Sequence, residues 1–260
     1  MTSLTIAASA GVARITLVRP EVRNAFDDAL IAELDAAFRA LGARHDVRAI
    51  VLAGEGPAFC AGADLHWMRR MAGYNRAENI ADAGKLAAML RTIAECPKPT
   101  VARVQGDVYA GGMGLVAACD MAVSVDTAWF CLSEVKIGLV PATISPYVLR
   151  AMGARAAQRY FLTAERFTAA EAHRIGFVHE VVGADALDAT VDGLLKALTG
   201  ASPAAVGACK ELIADVNGRP IDDALVARTV EGIADIRASD EGREGVQAFL
   251  QKRKPSWLAS

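Results

Sequence analysis

Thr100-Val101-Ala102-Arg103-Val104-Gln105, then Gly111-Gly112-Met113-Gly114-Leu115-Val116-Ala117-Ala118, then Met121-Ala122-Val123-Ser124-Val125 read as strand, helix and strand in close succession. The strands are short and apolar along most of their length, as strands buried on both faces are, and the apolar run between them opens on glycines. Such alternation points to an α/β architecture with parallel pairing.

The pattern extends in both directions. Upstream, Leu4 to Ala8 and Val12 to Val18 flank Ala10-Gly11 as a hairpin. Leu30, Leu34, Phe38 and Leu41 then mark one face of a helix that Asp27 caps and Gly42 stops. Ala49 to Ala53 is a buried strand, and about Ala77 to Ala94 a helix. Downstream, further helices precede a strand over Phe177 to Val182. From Ser202 onward the signal is helical only, with helices over Pro203 to Val216, Ile221 to Ile236 and Asp240 to Lys252, broken at Asn217-Gly218-Arg219-Pro220 and at Ser239-Asp240. Three such helices make a poor core alone, so they are expected to pack on the α/β body or on another subunit. The expected division is a core over residues 1–200 and a helical oligomerisation region over 201–260.

With 260 residues, 53% hydrophobic and 22% charged, the chain can bury a full core as one large domain. A net charge of -2 supplies no field for nucleic acid, and no basic cluster exceeds Lys252-Arg253-Lys254. No stretch offers the roughly 18 apolar residues of a membrane span, and the opening Met1 to Thr5 has no basic, apolar leader pattern, so the expected location is the cytoplasm. The five cysteines are scattered without a C-x-x-C pair and the four histidines show no ligand spacing, so no metal site is expected.

Two segments carry the candidate chemistry. Phe59-Cys60-Ala61-Gly62-Ala63-Asp64-Leu65 and Tyr109-Ala110-Gly111-Gly112-Met113-Gly114 both put small residues where a helix begins. Exposed backbone N–H groups at helix starts can bind a developing negative charge, so Ala63 and Gly111 are candidate donors of one oxyanion hole. Each segment alone reads equally well as a tight strand-to-helix turn. Glu134, a lone acid in Leu132-Ser133-Glu134-Val135, is a candidate general acid and base, or alternatively a carboxylate paired with Lys136 or capping a helix. Gly112 to Ala117 also matches the dinucleotide fingerprint G-x-G-x-x-A, but Gly106 to Gly111 separate it from the strand end where that motif must lie.

Taken in order, Arg19-Pro20, Asn24-Ala25, Phe59 to Leu65, Lys98-Pro99-Thr100, Gly106, Gly111-Gly112, Cys119-Asp120, Ser133-Glu134, Gly138, Pro141, Leu162-Thr163, Ala169, Ala172 and Gly176 resemble the crotonase (enoyl-CoA hydratase/isomerase) superfamily over essentially the whole chain. The resemblance implies a right-handed ββα spiral with a helical C-terminal trimerisation region, in trimers or dimers of trimers. It implies an acyl-CoA thioester held by the N–H groups of Ala63 and Gly111, with Glu134 as catalytic acid. It places CoA near Ala61, Asp64 and Leu65, puts Gly112 and Gly114 beside the substrate, and needs no cofactor beyond the substrate's own CoA. Within the superfamily, the stretches Asp64 to Ala72, Ile144 to Val148 and Arg159 to Phe167 look like bacterial methylglutaconyl-CoA hydratases, with isohexenylglutaconyl-CoA hydratases close by.

One departure stands out. Two-acid hydratases of the superfamily carry a second glutamate where this chain has Gly114. A single acid suits hydration assisted by another group, a Δ3,Δ2-enoyl-CoA isomerase, or a non-catalytic acyl-CoA-binding protein. If the substrate ends in a carboxylate, Arg69, Arg70 and Arg76 are the cations nearest in sequence, while His66 and Trp67 are candidates to line the CoA or acyl site and Tyr109, near Gly111, is a candidate for orienting water.

Overall fold

β1 (Leu4–Ser9) and β2 (Val12–Leu17) pair antiparallel because Ala10 and Gly11 take φ of 49° and 80°, the handedness that two-residue hairpin turns need. The computed structural model describes residues 2–258. After the hairpin, α1 (Asp28–Gly42) starts where the Asp27 carboxylate accepts the Leu30 N–H at 2.9 Å, and it buries the Leu30, Leu34, Phe38 and Leu41 face that the spacing predicts.

From there the chain repeats a ββα unit. The first turn is β3 (Ala49–Gly54), β4 (Ala58–Cys60), α2 (Leu65–Met71) and α3 (Arg76–Ala94). The second is β5 (Thr100–Val104), β6 (Asp107–Tyr109) and α4 (Gly111–Ala118), and the third is β7 (Met121–Val125), β8 (Trp129–Cys131) and α5 (Ser145–Thr163). In each turn the first strand joins a long sheet and the second a short one. β9 (Phe167–Thr168), α6 (Ala169–Arg174), β10 (Glu180–Val182) and α7 (Leu187–Gly200) complete the body. The long sheet has the order β1-β2-β3-β5-β7-β10, parallel beyond the opening hairpin, and the short sheet has the order β4-β6-β8-β9. The first strand of the first turn, β3, is buried at every residue, as a strand covered on both faces requires.

Four strands escape the sequence reading, the two-residue β9 among them. β4, β6 and β8 are each three residues long, too short for alternation to register, and β6 occupies the gap that separates β5 from Gly111. The expected strand over Phe177 to Val182 pairs only over Glu180–Val182, while Phe177 and Val178 are buried in the core.

α8 (Pro203–Val216), α9 (Asp223–Ala238) and α10 (Asp240–Leu250) follow the body. α8 has the expected bounds, whereas α9 starts later than its apolar pattern because Asp222 caps it by accepting the Leu225 N–H. Lys210 on α8 donates to Asp120 Oδ2 at 2.7 Å, and the same oxygen accepts the N–H and hydroxyl of Thr100, which ties α8 to the start of β5. Of the side chains on α8, α9 and α10, only Leu225 and Ala248 are buried.

Candidate active site

The two glycine-rich segments meet because the short sheet places β4 beside β6, so the loops after both strands leave from the same edge. After β4, Phe26 and Ala63 form a parallel bridge: the Phe26 N–H donates to the Gly62 carbonyl at 2.8 Å, and the Asp64 N–H donates to the Phe26 carbonyl at 2.9 Å. That pattern bypasses Ala63, whose N–H has no partner among the described residues. After β6, Ala110 takes φ of 47° and donates to the Cys131 carbonyl, which leaves Gly111 as the first helical residue with its N–H unsatisfied at the positive end of α4.

Close approach of the loops depends on Gly62. With φ of 90°, it leaves room where a Cβ would sit 2.9 Å from Ala110 Cβ and 3.4 Å from the Gly111 nitrogen. Phe26 packs beneath the second donor, since a Cβ on Gly111 would lie 2.2 Å from its ring. The turn that presents Phe26 is held by buried Asn24, whose amide donates to the carbonyls of Glu55 and Ala58 and accepts the Arg19 N–H.

A pocket of about 480 Å³ opens over these groups. Ala61, Ala63, Leu65, Gly111 and Glu134 all line it. Glu134 begins a 3-10 turn, Glu134–Ile137, and its Oε2 is buried with no hydrogen-bond partner among the described residues. Burial pushes its carboxyl above the ordinary carboxylate range, against a smaller downward pull from its own backbone N–H. Met68, Met71, Leu86, Ile137, Leu139 and Val140 make much of the remaining wall apolar. A larger groove of about 700 Å³ between α1 and α3 shares no residue with this pocket. Among the described residues, no three His, Cys, Asp or Glu side chains gather as a metal site would need.

Asp64, Gly112 and Gly114 stand outside the lining. Asp64 is a buried cap for α2, accepting the His66 N–H at 2.7 Å and pairing with Arg19 at 3.0 Å, and its own N–H and carbonyl serve Phe26 and Met68. Gly112 packs where a Cβ would meet the Cys60 carbonyl at 2.5 Å. At Gly114 a Cβ would lie 2.3 Å from Ile144 Cγ2, so Ile144, buried and in the pocket wall, fills the space beside that position.

The three arginines also lie off the lining. Arg70 pairs with Asp28, Arg69 stands 3.4 Å from His66 Nδ1 on the surface, and Arg76 opens α3. Tyr109 points instead into a surface stack under Arg166, 5.8 Å from its ring, while Trp67 is buried in the wall with its indole N–H donating to Asp82 at 3.3 Å. Sequence reasoning missed Phe26, Asn79, Asp82 and Ile144. Phe26 directly follows Asn24-Ala25 and was within reach, but no spacing rule joins Asp82 to Trp67 across the turn between α2 and α3.

Comparison with known proteins matches residues 7–259 to the enoyl-CoA hydratase/isomerase family model. An enoyl-CoA hydratase of Alternaria alternata is 36% identical over 242 residues, 92% of this chain and 78% of that protein. Among solved structures, an enoyl-CoA hydratase from Shewanella pealeana superposes with a TM-score of 0.96 at 41% identity, covering 98% of this chain and 96% of its own. One from Mycobacterium smegmatis gives 0.93 at 34% identity, covering 99% and 100%.

Proposed function

The chain belongs to the enoyl-CoA hydratase/isomerase family, and on that premise we propose that it adds water across the double bond of an α,β-unsaturated acyl-CoA, with Ala63, Gly111 and Glu134 as the catalytic groups. The observation that carries this reading is the shared pocket, lined by two N–H groups and by a carboxyl with one buried oxygen, none of which has a partner among the described residues. The thioester oxygen accepts hydrogen bonds from Ala63 and Gly111, which draws electrons from the double bond and leaves the β-carbon open to attack. Glu134 takes a proton from water as the water oxygen bonds to the β-carbon. The π pair passes to the enolate, and Glu134 returns the proton to the α-carbon, so one carboxyl balances the reaction. The substrate brings its own CoA, and no further cofactor enters the scheme. A homotrimer or dimer of trimers is the proposed assembly.

Within the class, the sequence resemblance favours 3-methylglutaconyl-CoA, which would yield 3-hydroxy-3-methylglutaryl-CoA. A second reading, an acyl chain with an uncharged end, is favoured by a lining that holds Asp82 and no lysine, arginine or histidine. The test is turnover of crotonyl-CoA and 3-methylglutaconyl-CoA by wild type and E134Q, followed by enoyl absorbance and product mass. Hydration that falls by about 10²–10⁴ in E134Q supports the reading. Double-bond migration without water addition makes the protein an isomerase, and tight thioester binding with neither reaction makes it an acyl-CoA-binding protein.

A further inference from the structure

With the thioester oxygen at Ala63 and Gly111 and the double bond beside Glu134, the walls left for the distal part of the acyl chain are the pocket face of α3, the α2 residues Met68 and Met71, and the segment from Ile137 to Ile144, and of these only α3 carries a charged side chain. Asn79, Asp82, Ala83 and Leu86 share that face at helical spacing and all line the pocket. The Asn79 amide nitrogen is committed to the carbonyls of Tyr74 and Asn75, at 3.1 Å each, so its unengaged group is the acceptor oxygen. Asp82 Oδ1 accepts the Trp67 indole N–H, and Oδ2 has no partner among the described residues. This wall therefore presents acceptors, and no cation lines the pocket to offset them. An acceptor wall of this kind binds a hydrogen-bond donor and repels an anion.

We propose that Asp82 is a specificity-determining residue of the pocket, accepting a hydrogen bond from a hydroxyl on the distal end of the acyl chain and excluding an ionised carboxylate there. The inference rests on the enoyl-CoA reading and takes its second form, an acyl chain with an uncharged end, against 3-methylglutaconyl-CoA. The Trp67 indole fixes one carboxylate oxygen, which leaves the other for the ligand without rearrangement.

The experiment compares kcat/KM at pH 7.5 for crotonyl-CoA, 3-methylglutaconyl-CoA and the analogue of the latter with CH2OH in place of its carboxylate, using wild type, D82N and W67F. Wild type should prefer the hydroxyl ester to the carboxylate ester by about tenfold or more. D82N should shrink that preference by about tenfold or more, lowering the hydroxyl ester and raising the carboxylate ester, each relative to crotonyl-CoA. W67F, which keeps Asp82, should preserve the order of the two esters. A wild-type preference for the carboxylate ester overturns the inference, and so does a D82N effect of equal size on all three thioesters, because that is the mark of a prop for Trp67. The wild-type ranking decides by itself if D82N does not fold. If no ester turns over, the hydratase reading fails, and the same order is then required of thioester dissociation constants measured by calorimetry.

Discussion

Glu134 holds a buried carboxylate oxygen with no partner among the described residues, and two consequences follow from the upward push on its carboxyl. As the group that takes the water proton it must be ionised, so the acid limb of kcat/KM should lie above the range of an ordinary carboxylate, and a pH profile of turnover checks this. The second consequence concerns stability. A carboxyl whose folded pKa is raised binds its proton more tightly in the folded state, so its stabilising contribution is complete below the unfolded pKa and is lost as pH rises through the folded pKa. At neutral pH Glu134 therefore strains the fold. E134Q should raise the Tm at pH 7.5, and the gain should vanish in acid where both forms are neutral. Thermal melts at both pH values read this out. A Tm unchanged by E134Q at pH 7.5 would contradict it.

Helix α2 supplies Leu65, Trp67, Met68 and Met71 to the pocket wall, and Asp64 is what starts it. Burial alone would raise the Asp64 carboxyl, but the N–H groups of His66 and Trp67 and the Arg19 guanidinium outweigh it and hold the carboxyl below its usual range. The stabilisation is therefore present above the unfolded pKa and lost as pH falls through the folded one. D64A should cost about 2–4 kcal/mol at neutral pH from the lost cap and the lost pairing with Arg19, which keeps its contacts to Asp27 and the Ala25 carbonyl, raise KM more than it lowers kcat, and lose much of its stability penalty in acid. Denaturant unfolding with steady-state kinetics checks both effects. Elements with long period signals were legible in the sequence: the hairpin, α1, β3, β5, β7 and α8 lie where apolar spacing puts them, while β10 is half the expected length. The short sheet was not, because strands as brief as β4 carry no period, and yet that sheet is what brings Ala63 and Gly111 to one edge. Of the candidate site, Ala63, Gly111 and Glu134 were named from the sequence, and all three line one pocket. Its side-chain wall was not legible, since Asp82 and Ile144 reach it by tertiary packing, and Ile144 in particular occupies the space beside Gly114. Placing a glutamate there should overpack the wall, so G114E should lower stability by about 1–3 kcal/mol in the same unfolding assay without gaining hydratase activity.

Beyond the body, the chain leaves apolar surface that a lone protomer has no means to cover. On α9, Val226, Val230 and Ile233 are all exposed and recur at the spacing of one helical face, while Leu212 and Ile213 on α8 and Phe249 and Leu250 on α10 are exposed as well. A row of exposed apolar side chains along one helix face, as on α9, is what an interaction face needs, and the tie from Lys210 to Asp120 holds α8 against the body. In the proposed trimer or dimer of trimers these faces cover one another, which explains why three helices with only two buried side chains follow a well-packed core. Light scattering of the purified protein should give three or six times the 27.3 kDa of one chain. Charges placed in the middle of the face, V230D with I233D, should shift the mass to that of the protomer, because burying unpaired carboxylates costs more than the contact returns. A wild-type protomer mass at micromolar concentration would reject the assembly. A variant that stays assembled would move the contact off α9 and onto the exposed residues of α8 and α10.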